Sequence, residues 1–383
     1  MKKINIFVIP AIFPREDNKQ LGNYIYEQCQ VLKKHGHELV ILDCSSYGLK
    51  RIGKCNKVFS YESDVGEVYV NHVPAVAQSR IPRISVRMYL KNAEKIFKKA
   101  LKKHGKPDLI YAHFTFISGY AARYFSKKYD IPYAVQEHYS LFLRKDLPEY
   151  LKKITRETVA DASAFFAVSQ GLKENIEEFT GIKGKIGVVN NLVNSRYSYF
   201  PIPEGDKFTF FAAGNLVKSK KFDLLIEAFS KAFSTKDNVC LRIAGNGSEY
   251  EALKQLAESK ECNIELLGRL NTDEMIEEYK KCNCFVLLSE FETFGIVYRE
   301  AMACGRPVIA VKNGGVEENW SDEFGFLIEK NNLEQSIDAL KRMVEESDRF
   351  DAKNIADKTM EMYSDENIYI EIINQLKKCR WEK

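Results

Sequence analysis

The sequence predicts an α/β protein made of two doubly wound units. Three observations lead there. The chain has 383 residues, beyond the ~250–300 at which one core stops growing, and ~100–200 residues per domain gives two domains. Short apolar runs alternate with helical patterns through both halves, as expected of mostly parallel sheets covered by helices on both faces. The alternation breaks once, at 190–207, where Asn190-Asn191, Pro201, Pro203 and Gly205-Asp206 read as a linker. Composition is ordinary for a globular protein, at 45% hydrophobic and 29% charged, which excludes disordered and collagen-like classes.

In order, 4–9 reads as a first buried strand. Met1-Lys2-Lys3 before it imitates a signal peptide, but Asn5, Pro10 and the charged 14–17 interrupt the run. Residues 23–35 have helical spacing with Ile25, Cys29 and Leu32 on one face. Strands are expected at 38–42, 68–73, 108–112, 132–136, 164–168 and 186–189, and helices at 88–103 and 119–129. After the linker, strands are expected at 208–213, 239–244, 264–267, 284–288 and 308–311. The helices between and after them are expected at 223–233, 249–259, 273–282, 297–303 and 333–346. The expected division is 1–198, 199–364 and a C-terminal helix within 365–383. No run of ~18 apolar residues is present to span a membrane.

Charge divides with the fold. Residues 1–200 carry 32 Lys+Arg against 19 Asp+Glu, a balance of +13, and the remainder carries 25 against 34, a balance of −9. Such asymmetry points to different partners for each half. All six His lie in the first half. The nine Cys form no C-x-x-C and mostly sit in apolar runs, where Cys behaves as a small hydrophobe, favouring a reducing, cytoplasmic setting.

The densest chemical signal is Ser289-Glu290-Phe291-Glu292-Thr293-Phe294-Gly295, continuing to Glu300 and Gly305-Arg306-Pro307. Glu292 falls in a strand-to-helix loop, and Glu300 eight positions on, about two helical turns. Phe294-Gly295 opens the helix, where backbone N–H groups favour an anion. Carboxylates suit sugar and ribose hydroxyls because each accepts several hydrogen bonds. Two solvent-facing helix glutamates would give the same spacing; the loop placement argues for the functional reading. His113 and Glu137-His138 end successive strands, at the carboxyl edge where ligands of doubly wound sheets bind. His113 could hydrogen-bond a hydroxyl or assist proton movement near neutral pH; a capping or core histidine is the bland alternative. His and Glu here are too few and too separated for a metal set. Gly22, before a helix, permits positive φ and close backbone approach, though an ordinary turn would also use it.

The segment with Glu292 and Glu300 resembles the E-x7-E signature of retaining glycosyltransferases of family 4 (group 1), which have the GT-B fold: two Rossmann-like doubly wound domains facing a central cleft. Gly214-Asn215 through Lys220, Gly245-Asn246-Gly247, Gly268-Arg269 and Asn313-Gly314-Gly315 resemble further family segments in order and spacing. The resemblance implies an N-terminal acceptor domain, a C-terminal nucleotide-sugar domain, and a last helix crossing back to the first. It implies that Glu292, with the amides of Thr293, Phe294 and Gly295, holds donor sugar hydroxyls. Glu300 would bind the nucleotide ribose and Lys220 would neutralise the diphosphate. Gly22, Gly214 and Arg269 fall in donor-binding segments, His113 at the reaction centre and Glu137-His138 on the acceptor side. Asn215 stands where the family usually has Arg, so diphosphate stabilisation is weaker or supplied elsewhere.

The implied reaction moves a sugar from a nucleotide-sugar to a hydroxyl of a saccharide or lipid-linked saccharide, in cell-surface polysaccharide or glycolipid synthesis. No D-x-D occurs, in keeping with a metal-independent mechanism and no cofactor; no G-x-G-x-x-G follows the first strand, against a nicotinamide enzyme. A nucleotide-sugar epimerase of the same fold is one alternative. A non-catalytic partner subunit, motivated by Asn215, is another. The stretch from Arg80 to Lys106 has ten Lys/Arg and one acid, Glu94, with Tyr89, Ala93, Ile96, Phe97 and Ala100 on one face. An anionic membrane surface at the inner face is its candidate partner; a solvated helix whose stripe packs on its own sheet is the alternative. The acidic second half and the lack of a recognised motif argue against nucleic acid.

Overall fold

The computed structural model describes residues 3–15, 18–47, 53, 55–74, 82–143 and 147–379. Met1-Lys2 and Arg80 fall outside the described residues. The chain divides into two compact units, Met1–Leu192 with Asp365–Lys383, and Val193–Ser364. The first division falls at 192/193 rather than 198/199, because Val193 N already bonds Tyr363 O of the second unit at 2.8 Å.

The first unit has strands β1 (Asn5–Ile9), β2 (Glu38–Asp43), β3 (Ser46–Tyr47), β4 (Phe59–Ser63), β5 (Gly66–Val70), β6 (Val73–Pro74), β7 (Leu109–His113), β8 (Tyr133–Glu137), β9 (Ala164–Ala167) and β10 (Ile186–Val188). Its helices are α1 (Asn23–Lys34), α2 (Pro82–His104), α3 (Tyr120–Tyr129), α4 (Glu149–Asp161) and α5 (Gln170–Thr180). The main sheet runs β10-β9-β8-β7-β1-β2-β5-β4. It is parallel except for β4, which pairs antiparallel with β5. The expected strand 68–73 is two strands, β5 and β6.

The run in β1 is continuously apolar because both faces are covered. Ile6 and Val8 join Ile25, Cys29 and Leu32 of α1 in one core cluster, while Phe7 meets Phe97 of α2 on the other face, ring centroids 5.6 Å apart. The predicted stripe of α2, Tyr89, Ala93, Ile96, Phe97 and Ala100, is wholly buried. The C-terminal α12 (Asp365–Leu376) places Ile368, Ile372, Ile373 and Leu376 in the same cluster as α1, and Tyr369 Oη lies 3.1 Å from His37 Nε2.

The second unit has β11 (Phe208–Ala213), β12 (Val239–Ala244), β13 (Ile264–Gly268), β14 (Cys284–Val286), β15 (Val308–Val311) and β16 (Gly325–Ile328). Its helices are α6 (Phe222–Ala232), α7 (Tyr250–Glu258), α8 (Thr272–Lys281), α9 (Ile296–Ala303), α10 (Leu333–Glu345) and α11 (Ala352–Tyr363). The sheet is parallel, in the order β13-β12-β11-β14-β15-β16. Phe210 and Phe211 alternate across it, Phe210 to Phe229 of α6 and Phe211 to Tyr279 of α8.

In both sheets the strand order reverses beside the unit's first strand, between β7 and β1 and between β11 and β14. Ligands of doubly wound sheets bind outside the carboxyl ends of the strands at that reversal. All nine cysteines are free. No helix of the described residues is long and apolar enough to cross a membrane.

Candidate active site

In the second unit the loops after β11 and β14 meet. Lys220 Nζ lies 2.6 Å from Glu292 Oε1, with side-chain exposures of 21% and 11%. The backbone fixes the meeting: Glu290 N donates to Ser219 O at 2.8 Å, and Lys221 Nζ pairs with Glu290 at 3.5 Å. A third loop joins after β15, where Asn313 Nδ2 donates to Ser289 O at 3.0 Å. Arg299, buried on α9, donates to Val316 O and Glu318 O at 2.9 and 3.0 Å.

Gly295 caps α9 with φ 75°, so only the second part of the Glu292–Glu300 interval is helical. The expected two helical turns are corrected to a loop, a left-handed cap and about one turn. Among the described residues nothing accepts from the amides of Thr293, Phe294 and Gly295, which leaves three donors beside Glu292. Glu300 Oε2 accepts from Tyr279 Oη at 3.3 Å. Gly214 continues the β11 ladder, its N bonded to Ala244 O at 3.1 Å. Asn215 and Arg269 are exposed at the carboxyl ends of β11 and β13.

In the first unit His113 ends β7 and Glu137 ends β8. His113 Nδ1 lies 3.1 Å from His138 Nε2. Burial, and then the His138 ring, drive the His113 pKa well below the usual histidine value; burial pushes His138 down to about 3. Burial thus favours the neutral form of both rings, which suits His113 to hydrogen bonding of a hydroxyl. Glu137 accepts from the backbone N–H of Thr115, His138 and Tyr139 at 2.7, 2.8 and 2.7 Å. Burial raises its pKa against those bonds, and its carboxylate serves to fold the two loops. Gly22 adopts φ 68° as the cap of α1, and a Cβ there would lie 2.6 Å from Ile12 O. A side chain is excluded on both counts.

Two family models match the chain. "Glycosyltransferase Family 4" covers residues 21–197 and "Glycosyl transferases group 1" covers 200–362. An uncharacterized glycosyltransferase of Methanocaldococcus jannaschii is 31% identical over 275 residues, 71% of this chain and 73% of that protein. The chain belongs to the group 1, family 4 glycosyltransferases. Solved structures agree on the GT-B fold. A sucrose-phosphate synthase from Thermosynechococcus elongatus aligns with a TM-score of 0.79 at 15% identity, over 100% of both chains. Anabaena HepE in complex with UDP-glucose aligns at 0.71 and 18% identity, over 98% of this chain and 99% of that one.

In this glycosyltransferase the predicted residues fall into two groups. Lys220, Glu292, Thr293, Phe294 and Gly295 come together, and His113, Glu137 and His138 come together. Sequence reading missed the direct Lys220–Glu292 pairing, since 71 intervening residues hide it; the strand order alone could have suggested it. Asn191, read as linker, is buried after β10, with its Oδ1 making no hydrogen bond among the described residues.

Proposed function

We propose that this glycosyltransferase moves a sugar from a nucleotide-sugar to a hydroxyl of a saccharide or lipid-linked acceptor, with retention of anomeric configuration and without a metal or other cofactor. The Lys220–Glu292 pair at 2.6 Å carries the reading. A departing nucleoside diphosphate gains negative charge, and a cation fixed beside it stabilises the transition state more than the ground state. The neighbouring carboxylate and the three loop amides suit sugar hydroxyls. Without substrate the two charges satisfy each other; a donor would take Lys220 on its phosphates and Glu292 on its sugar. Glu300 is the candidate for the ribose, with Gly22, Gly214 and Arg269 beside the donor and His113 at the reacting sugar. Family membership supports retention, and the UDP-glucose complex of HepE supports a UDP-sugar as the first donor to try. Cell-surface polysaccharide or glycolipid synthesis is the proposed setting, on the cytoplasmic side, with the basic face of α2 toward anionic lipid.

The test is a screen of UDP- and GDP-sugars, with and without membrane extract, in EDTA. Hydrolysis or transfer that persists in EDTA supports the reading; activity restored only by a divalent ion overturns metal independence. The anomer of the product, read by NMR, decides retention. Exposed Asn215 favours one second reading, a partner subunit: donor binding without turnover on any acceptor would establish it. Conversion of the donor into a second, epimeric nucleotide-sugar with no acceptor present would instead indicate an epimerase.

A further inference from the structure

Arg299 is a charged side chain where the core would accept an apolar one. It lies on α9 and is 1% exposed. Its Nη2 donates to Val316 O and Glu318 O, and its Nε is buried without a hydrogen-bond partner. No carboxylate lies within ion-pair distance of it among the described residues. A guanidinium cannot shed its charge. Taking a charge out of water is costly, and well-packed apolar groups often stabilise a core as well or better. Stability is therefore a poor account of Arg299.

Its contacts lead to the Lys220–Glu292 site. Val316 and Glu318 belong to the loop after β15. That loop lies backbone to backbone against the loop that carries Glu292. A Cβ on Gly315 would stand 2.5 Å from Glu292 O and 2.8 Å from Phe294 N. The guanidinium also sits 5.5 Å from the centroid of the Phe294 ring and 5.5 Å from that of Tyr363. Those two rings meet edge to face at 5.3 Å, and each residue is 1% exposed. A cation at such a distance is attracted to an aromatic face. Arg299 thus grips both loops at once: one by two hydrogen bonds, the other through Phe294, two positions after Glu292. A cluster packed this closely transmits displacement rather than absorbing it.

We propose that Arg299 is a positioning residue for the nucleotide-sugar: by joining the loops after β14 and β15, it holds the Glu292 carboxylate where a donor sugar hydroxyl must meet it. Arg299 is too deeply buried to touch the sugar itself. The proposal rests on the reading of Glu292 as the carboxylate that holds the donor sugar.

The experiment is a double-mutant cycle between Arg299→Met and Glu292→Ala. It is read as kcat/KM for the UDP- or GDP-sugar that gives turnover in the screen, with a thermal melt of each variant. Arg299→Met keeps an unbranched apolar stem and removes the charge and the two hydrogen bonds. Alone it is expected to lower kcat/KM by about 10- to 100-fold, the effect of a misplaced substrate contact. Over Glu292→Ala it should add no more than about threefold, because the group it positions is gone. A purely structural loss lowers the active fraction and multiplies in either background. A folded Arg299→Met within about twofold of wild type overturns the proposal, as does a double variant whose loss is the product of the two single losses. If Arg299→Met does not fold, Arg299→Gln, with its shorter neutral amide, takes its place under the same two criteria. If Glu292→Ala alone keeps wild-type kcat/KM, the reading of Glu292 falls and the proposal falls with it.

Discussion

The two units reverse strand order at the same topological point and place opposite chemistry there. In the second unit the point is ionic and partly wet, with Lys220 and Glu292 2.6 Å apart. In the first it is dry and, among the described residues, holds no cation, with two imidazoles driven below their usual pKa by burial and the Glu137 carboxyl enclosed by three backbone amides. Strand order decides where each set of side chains stands, and burial decides whether those side chains can hold charge. A diphosphate needs the ionic environment of the second unit, and a sugar hydroxyl is content with the dry one of the first.

Removing the ionic side should have the largest effect. Lys220→Ala and Glu292→Ala are each expected to lower kcat/KM by about 10²-fold or more. Melting temperature should hardly move, because a partly exposed ion pair adds little stability. Kinetics together with thermal melts check this; full activity in both variants would sink the assignment and the contrast with it.

Acid should separate the units next. All six histidines lie in the first 138 residues, hence in the first unit. A histidine whose folded pKa is depressed binds its proton more readily unfolded, so stability falls as pH drops below the unfolded value of about 6.5 toward the folded one. His138, at about 3, contributes a loss of ~2 kcal/mol by pH 5, and His113 shifts the same way. Most carboxylates titrate below that window. Hydrogen exchange at pH 7.5 and pH 5 should therefore show protection lost in β7 and β8 and kept in β11 and β14. Equal loss in both sheets would remove burial as the cause of the difference.

The glycines of the two units sharpen the same contrast. Gly22 combines φ 68° with a Cβ position 2.6 Å from a carbonyl oxygen, so Gly22→Ala should cost ~1–2 kcal/mol, or about 2–4 °C per kcal/mol in melting temperature. Gly214 has room: a Cβ would meet Phe222 Cζ at 3.6 Å, an ordinary contact. Gly214→Ala should melt with the wild type while raising KM for the nucleotide-sugar. Differential scanning calorimetry and KM separate the two; a destabilised Gly214→Ala would remove its assignment to ligand approach.

What could be read from the sequence follows the same physics. Strands buried on both faces, such as β1, β11 and β15, announce themselves as apolar runs, and the Glu292–Glu300 segment carries a dense signal. The edge strand β4 does not: its alternation, Phe59-Ser60-Tyr61-Glu62, is only four residues long, and both aromatics are exposed rather than part of a core. Helix α4 begins at Glu149 inside a charged stretch where periodicity is faint. The pairing of Lys220 with Glu292 and of His113 with His138 depends on strand order, which no local pattern encodes. Glu137 was legible as a strand-end carboxylate, but its enclosure by three amides was not.

The smallest expected effect concerns charge outside both sites. The apolar stripe of α2 is spent on the sheet, so any membrane attraction is electrostatic and comes from exposed lysines. Those lysines are not equivalent. Lys98 is tied to Glu94 at 3.1 Å and Lys103 to Glu67 at 2.6 Å, whereas Lys91, Lys99 and Lys102 are exposed with no ion pair among the described residues. A free lysine near an anionic surface is worth ~1 kcal/mol, and one already neutralised is worth less. Lys99→Ala should weaken sedimentation with phosphatidylglycerol vesicles about fivefold at low salt, and Lys98→Ala by less. Raising salt to 0.5 M should erase the difference, since screening then acts within a few ångströms. Wild-type protein that ignores anionic vesicles at low salt would confine the positive balance of the first half to solubility and acceptor capture.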